Sequence, residues 1–272
     1  MNQQPATSNQ QPPTPLPTVI LAGGKAKPEM QAVTGMADRS QVVVAGKTLL
    51  RHVVDGVRTA GEGGGPLGPI VVVGNPPISS DYACVSDTGD FVGNLFAGLR
   101  AFPDAPFVLI ATSDLPFVTG AEVGAFVRAA LAHAHAHNAD LVWPVVPVAL
   151  CYERYPGVRR TALKVREGHF TGGNLALVRP KFLLAQHDRV AGAYAARKSP
   201  LKLAVMLGIE TVTRLLLSQK VAPSLLTIPF LEARVGALLG GSTRAIIVNL
   251  PEIATDLDRP SDFDAVGLKP GS

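Results

Sequence analysis

Three groups of residues in this chain have types and spacings suited to chemistry on phosphates. The first is Gly23-Gly24-Lys25-Ala26-Lys27, where two glycines let the backbone pass close to a ligand and two lysines supply charge for a polyphosphate. The spacing is neither the Gly-Lys-Ser/Thr of a Walker loop nor the Gly-x-Gly-x-x-Gly of dinucleotide binders. The second is Asp114, in Ser113-Asp114-Leu115-Pro116, a hard oxygen ligand of the kind that magnesium on a nucleotide needs. The third is the cationic cluster Arg197, Lys198 and Lys202 around Pro200. Proline suits the first position of a helix, and cations at a helix start conflict with its positive end unless an anion is bound there. The cluster reads as a phosphate site for a second, acceptor substrate. Arg160 lies in the basic stretch Tyr152–Thr161, where substrate should enter, and the adjacent glycines of Gly172-Gly173-Asn174 again permit close backbone approach to a ligand.

Parallel strands are the elements that must position these groups. Val19-Ile20-Leu21-Ala22 is a short apolar run that stops at the glycines, as a buried strand feeding a loop does. Phe107–Ala111 is a second such run and delivers Asp114 at its C-terminal end, the edge of an open α/β sheet where ligands bind; Pro116 then turns the chain. Ile70–Val73, Asp140–Val148, Leu175–Val178 and Thr243–Leu250 are further strands. Helical spacing marks Leu49–Gly61, the segment opened by Asp90 as a cap, and Gly120–His137 with Val123, Phe126, Val127, Ala130 and Leu131 on one stripe. His133 and His137 lie four apart on that helix and could meet on its surface, but solvated histidines near a helix end are the ordinary reading.

Composition bounds the class. The chain has 272 residues, 47% of them hydrophobic, enough for one large α/β domain. A net charge of +4, scattered along the chain, argues against nucleic acid and suits phosphate-bearing substrates. Cys84 and Cys151 have no metal-ligand spacing, which points to a reducing, cytoplasmic compartment. Residues 1–17, almost wholly Asn, Gln, Pro, Thr and Ser, read as a disordered tail, and no stretch approaches the ~20 apolar residues of a membrane span. The greasy segment from Leu201 to Leu239 reads as a helical insertion over the acceptor side; with Lys202, Arg214 and Lys220 nearby it could also rest on a membrane surface.

Leu21-Ala22-Gly23-Gly24, Ser113-Asp114-Leu115-Pro116 and the ending Asp256-Leu257-Asp258-Arg259-Pro260-Ser261-Asp262-Phe263 together resemble the MobA-like nucleotidyltransferases, the family of the molybdenum-cofactor guanylyltransferase. Val19 to Leu268 follows the family in chain order. The resemblance implies a three-layer α/β/α nucleotide-diphospho-sugar transferase (GT-A-like) fold over residues 18–268, with a mostly parallel sheet and a helical insertion at about 193–240. It also implies that Leu21, Ala22, Gly23 and Gly24 wrap the base and triphosphate and that Asn94 faces the base or ribose. Asp114 would hold Mg2+, with Asp256 as the second ligand and Asp258 in reserve. Ala45–Val54 matches a further family segment, and counting back from it the family's phosphate lysine falls on Arg39, which can grip phosphate bidentately. Thr171-Gly172-Gly173-Asn174 resembles an acceptor-side motif. The usual Ser-x-Arg-Met-Gly of the loop is replaced by Ala26-Lys27-Pro28-Glu29-Met30.

The implied reaction is transfer of a nucleoside monophosphate from a nucleoside triphosphate to a phosphorylated small-molecule acceptor, with release of pyrophosphate and no side-chain nucleophile. Two other classes stay open. A glycosyltransferase of related fold would ordinarily bracket its metal with Asp-x-Asp, whereas Thr112 stands two before Asp114. A non-catalytic nucleotide-binding module would suit the altered loop. The base, the acceptor and the oligomeric state are not legible in the sequence.

Overall fold

The computed structural model describes residues 15–63, 65–196, 206, 208–220 and 222–271. Arg197, Lys198 and Lys202, and residues 1–14 of the polar N-terminal stretch, lie outside the described residues.

A central sheet carries the site. Its path runs β5 (Ala83–Val85), β4 (Leu67–Val73), β1 (Leu16–Leu21), β6 (Val108–Thr112), β10 (Leu175–Val178), β7 (Leu141–Pro147), β9 (Gly168–Gly172) and β8 (Leu163–Val165), with β11 (Thr243–Ile247) pairing β7. β4, β1 and β6 are mutually parallel, β5 joins β4 in the same sense, and β11 runs parallel to β7. β10 is antiparallel to both β6 and β7. β1 begins at Leu16, so Leu16 and Pro17 belong to the sheet and not to the polar stretch before it.

β1 is buried along its whole length because helices cover both faces. Alternation then divides its side chains. Ile20 points to one face, with Val72, Leu109 and Ala111, under Leu50, Val53, Val54 and Val57 of α2 (Leu49–Glu62) and Val123, Phe126, Val127 and Ala130 of α4 (Gly120–His137). Val19 and Leu21 point to the other, with Val71, Val73, Val108 and Ile110, against α3 (Phe91–Leu99), α6 (Pro180–Leu184) and α7 (His187–Ala196). Each such buried aliphatic stabilises by about 1.5–3 kcal/mol, so the three layers make a rigid platform for the strand ends. The helices start where the sequence supplies caps: Thr48 accepts from Arg51 N, Asp90 from Val92 N and Gly93 N, and Thr119 forms a capping box with Glu122.

Two additions flank the platform. α1 (Pro28–Thr34), the hairpin β2 (Val43–Val44) and β3 (Lys47–Thr48), and α10 (Pro260–Ala265) share a small core of Ala26, Met30, Val42, Val44, Leu49, Leu257 and Phe263. α8 (Ile209–Lys220) and α9 (Ile228–Leu239) lean on Val165 and Phe170 through Leu215 and Ile228, with Leu226 of the connection between them buried in the same cluster. Gln219 of α8 also pairs with the backbone of Lys164 through both ends of its amide, at 3.0 Å each, and so satisfies the open edge of β8. Among the described residues no helix is long and apolar enough to cross a membrane.

Candidate active site

The glycine loop leaves β1 beside the end of β6: Ala22 N donates to Val73 O and Ser113 N to Leu21 O. Residues 24–26 are clipped to residues 37–39, with Arg39 N donating to Gly24 O, Ala26 N to Ala37 O, and Lys25 bridging Asp38. The segment from the loop to Arg39 is therefore one unit, although sequence alone gives no sign of that pairing.

Three carboxylates converge at this edge. Asp114, 3% exposed, follows β6; Asp256 and Asp258 follow β11 through the 3-10 turn Pro251–Ala254; and oxygens of all three lie within 4.8 Å of one another. Asp262 fixes the last approach by accepting from Asp258 N at 3.1 Å and Arg259 N at 2.9 Å, the capping role its position at the start of α10 predicts. Burial, followed by repulsion from Asp114 and Asp258, pushes the Asp256 carboxyl up to about 6. Burial pushes Asp258 the same way, but Arg39 and Lys27 outweigh it and hold this carboxyl below its usual range. Asp114 Oδ1 is buried without a hydrogen-bond partner. Three hard oxygen donors, one of them orphaned, fit a divalent cation such as magnesium.

The expected phosphate ligands turn out to be engaged with acids. Lys25 pairs with Asp38 at 2.5 Å, Lys27 with Asp258 at 2.9 Å, and Arg39 with Asp114 Oδ2 at 3.0 Å and, through the same nitrogen, with Asp258 Oδ1. Burial disfavours the Arg39 charge, but the surrounding Asp114, Asp258 and Asp256 carboxylates overcome this and raise its affinity for the proton.

Asn94 is also placed otherwise than expected. It is 4% exposed; its Oδ1 accepts from Thr88 N and Oγ1, and its Nδ2 donates to Asp87 Oδ1. A Cβ on Gly23 would fall on that Nδ2 and on Asp87, so glycine is required there by the protein's own packing. Asp87, which sequence reasoning missed, accepts from Asn94 and Gly89 N, and both bonds hold its carboxyl below the usual range. Its signal would have been the short Asp87-x-Gly89 turn before the Asp90 cap.

Beside the carboxylates opens a cleft of about 750 Å³ whose lining includes Lys27, Arg159, Arg160, Gly172, Asn174 and Arg259. Gly172 has open space where a side chain would be, whereas a Cβ on Gly173 would fall 2.7 Å from Pro144 Cγ. Asn174 reaches Asp256 Oδ1 at 3.5 Å, and its backbone N donates to Ile253 O. Arg160 is spent on the turn that presents Asp256, donating to Ala254 O at 2.5 Å and Thr255 Oγ1 at 2.7 Å. Arg159, by contrast, is exposed.

Comparison with known proteins agrees with this architecture. A hypothetical transferase structure from Thermus thermophilus is 31% identical with a TM-score of 0.77, over 91% of this chain and 98% of that one. At 10% identity, where likeness shows the fold alone, stand the 4-diphosphocytidyl-2C-methyl-D-erythritol synthase of Anaerococcus prevotii (TM-score 0.53; 93% of this chain, 94% of that one) and a CMP:2-keto-3-deoxy-manno-octonic acid synthetase complexed with CTP (0.52; 92% and 95%). A search of curated proteins gives no sequence match. The sequence model of the MobA-like NTP transferase domain matches residues 18–200, a span that includes the glycine loop, Arg39 and Asp114 and stops before Asp256 and Asp258. With that model spanning more than half of the chain and a 31% identical structure covering 91% of it, the chain belongs to the MobA-like NTP transferase family.

Proposed function

We propose that this nucleotidyltransferase moves a nucleoside monophosphate from a nucleoside triphosphate to a phosphorylated small-molecule acceptor in a magnesium-dependent reaction that releases pyrophosphate. The observation that carries the reading is the meeting, at one sheet edge, of a glycine loop, three carboxylates and a cation-lined cleft. Magnesium held by Asp114, Asp256 and Asp258 would offset the charge of the triphosphate and polarise its α-phosphate.

The chain's own residues do the rest. Without a side chain at Gly24 the Arg39 guanidinium packs against the loop, and Lys25, Lys27 and Arg39 are within reach to neutralise a triphosphate there once they exchange their acidic partners for phosphate. The cleft receives the acceptor against Arg159, Gly172 and Asn174, while Arg160 holds its floor; the cluster Arg197, Lys198 and Lys202 would add to this side. An acceptor phosphate oxygen then attacks the α-phosphorus, the bond from that phosphorus to the bridging oxygen breaks, and pyrophosphate leaves with the electron pair. Positioning and charge compensation suffice, so no residue is asked to act as a nucleophile. Two free thiols, Cys84 and Cys151, suit the cytoplasm.

The test is a screen of the four nucleoside triphosphates against sugar-, polyol- and pterin-phosphates, read by pyrophosphate release with and without Mg2+. CTP and GTP come first, because a fold neighbour is complexed with CTP and the family resemblance is to a guanylyltransferase. Release with one nucleotide and one acceptor class is expected. Nucleotide binding without release for every pair would favour a binding module instead.

A further inference from the structure

Arg39 occupies the place in which the proposed magnesium would sit. A single guanidinium nitrogen contacts Asp114 Oδ2 and Asp258 Oδ1, two of the oxygens that a cation would take, and Asp256 adds its field to the same group. Magnesium binds carboxylate oxygen at about 2.0–2.1 Å, which leaves no room for a hydrogen-bonded nitrogen on the same side of those atoms. Charge opposes double occupancy as well, because guanidinium and metal repel each other in a partly buried pocket.

Arg39 is nonetheless imperfectly satisfied. Its Nε is buried without a partner, as is Asp114 Oδ1. Its other terminal nitrogen lies beside Gly24, where an added Cβ would come within 3.0 Å, and its backbone N is bonded to Gly24 O. The side chain thus stands between the carboxylates and the loop that would carry the triphosphate.

We propose, resting on the metal-dependent reading above, that Arg39 is a resident counter-ion of the carboxylate cradle that must be drawn away before a divalent cation can bind, and that the triphosphate draws it. Metal and nucleotide then bind cooperatively. The cation alone meets a filled cradle; with nucleotide present, the arginine turns to phosphate oxygens, and the three carboxylates become free for the metal. By linkage, the metal strengthens nucleotide binding by the same factor.

The experiment titrates the full chain with Mn2+ alone, followed by the metal's spin-resonance signal, and then with saturating α,β-methylene analogues of CTP and of GTP. In the wild type, Mn2+ alone should bind weakly and an analogue should tighten it by about tenfold or more. Arg39→Gln should bind Mn2+ alone about tenfold more tightly than wild type, and its further gain from the analogue should be about tenfold smaller than the wild type's. Arg39→Lys, which keeps the charge on a more compact, single-point group, should fall between them; circular dichroism verifies that each variant is folded. The proposal is overturned if Arg39→Gln binds Mn2+ no more tightly than wild type while Asp114→Asn still removes binding, an outcome that leaves the metal site standing. If neither wild type nor Arg39→Gln binds Mn2+ with or without nucleotide, the metal-dependent reading falls, and this inference with it.

Discussion

Arg160 and Thr255 are joined at 2.7 Å across 95 residues of sequence, and this contact holds the turn from which Asp256 projects. Thr255 Oγ1 donates in turn to Pro251 O at 2.7 Å, and Arg160 also donates to Ala254 O, so the arginine fixes the end of the turn next to Asp256 and Thr255 ties that end back to its start. Arg160→Ala leaves buried acceptors without a donor and should cost about 2–3 kcal/mol of stability. It should lower kcat for pyrophosphate release more than it raises the acceptor KM. Were Arg160 a direct grip on the acceptor, the KM effect would dominate, and steady-state kinetics separates the two.

Asp114→Asn keeps the shape at the end of β6 and removes a charged oxygen donor from the cradle. We expect pyrophosphate release to fall at least about 100-fold, with the melting temperature changed by only a few degrees. Retention of near-normal turnover would take Asp114 out of the chemistry.

The Asp256 carboxyl titrates at about 6 in the fold, well above its value in an unfolded chain. The folded protein therefore binds this proton more tightly than the unfolded one. Its contribution to stability is complete below about pH 4 and lost as pH rises through about 6. In a chelator-containing buffer, the melting temperature of Asp256→Asn minus that of wild type should grow between pH 4 and pH 7, to the equivalent of about 1–3 kcal/mol, and then level off. Excess Mg2+ at pH 7.5 should stabilise the wild type and not the variant. A pH-independent difference contradicts the shift.

Gly23 faces Asn94 Nδ2 and Asp87 Oδ1. Gly23→Ala should destabilise by about 1–3 kcal/mol through overpacking and weaken nucleotide binding, since the loop must move to accept the methyl group. Asn94→Ala in the same chain makes room, so the pair should be less harmful than the sum of the singles. Thermal denaturation of the four proteins closes the cycle; strict additivity rules out the contact as the cause.

Much of the platform is legible in the sequence because it depends on local pattern. Apolar runs ending in glycine or aspartate foretell β1 and β6, and Asp90 foretells a helix cap, since a cap needs only neighbours two or three residues away. Asp114, Asp256 and Asp258 are named by motif, and the fold brings them together. What the pattern hides is who pairs with whom. Arg39 and Lys27 meet Asp258 across 219 and 231 residues, so nothing around either cation announces that it is neutralised by acid. Asn94 has the same lesson in smaller compass: an amide at a helix start suggests a base contact, while the turn at Asp87 and Thr88, invisible as a partner, takes both ends of it.

The separation of Asp258 from Arg39 has a consequence for how the protein is made. Closing a loop of 219 residues costs chain entropy that no local contact repays, so the cradle cannot form ahead of the sheet that brings its two halves together. During synthesis Asp114 and Arg39 emerge long before Asp256 and Asp258, and for that interval the arginine has only part of its final escort. Catalytic competence should therefore arrive late and all at once on refolding, making recovered turnover a stricter gauge of completed folding than recovered helix signal.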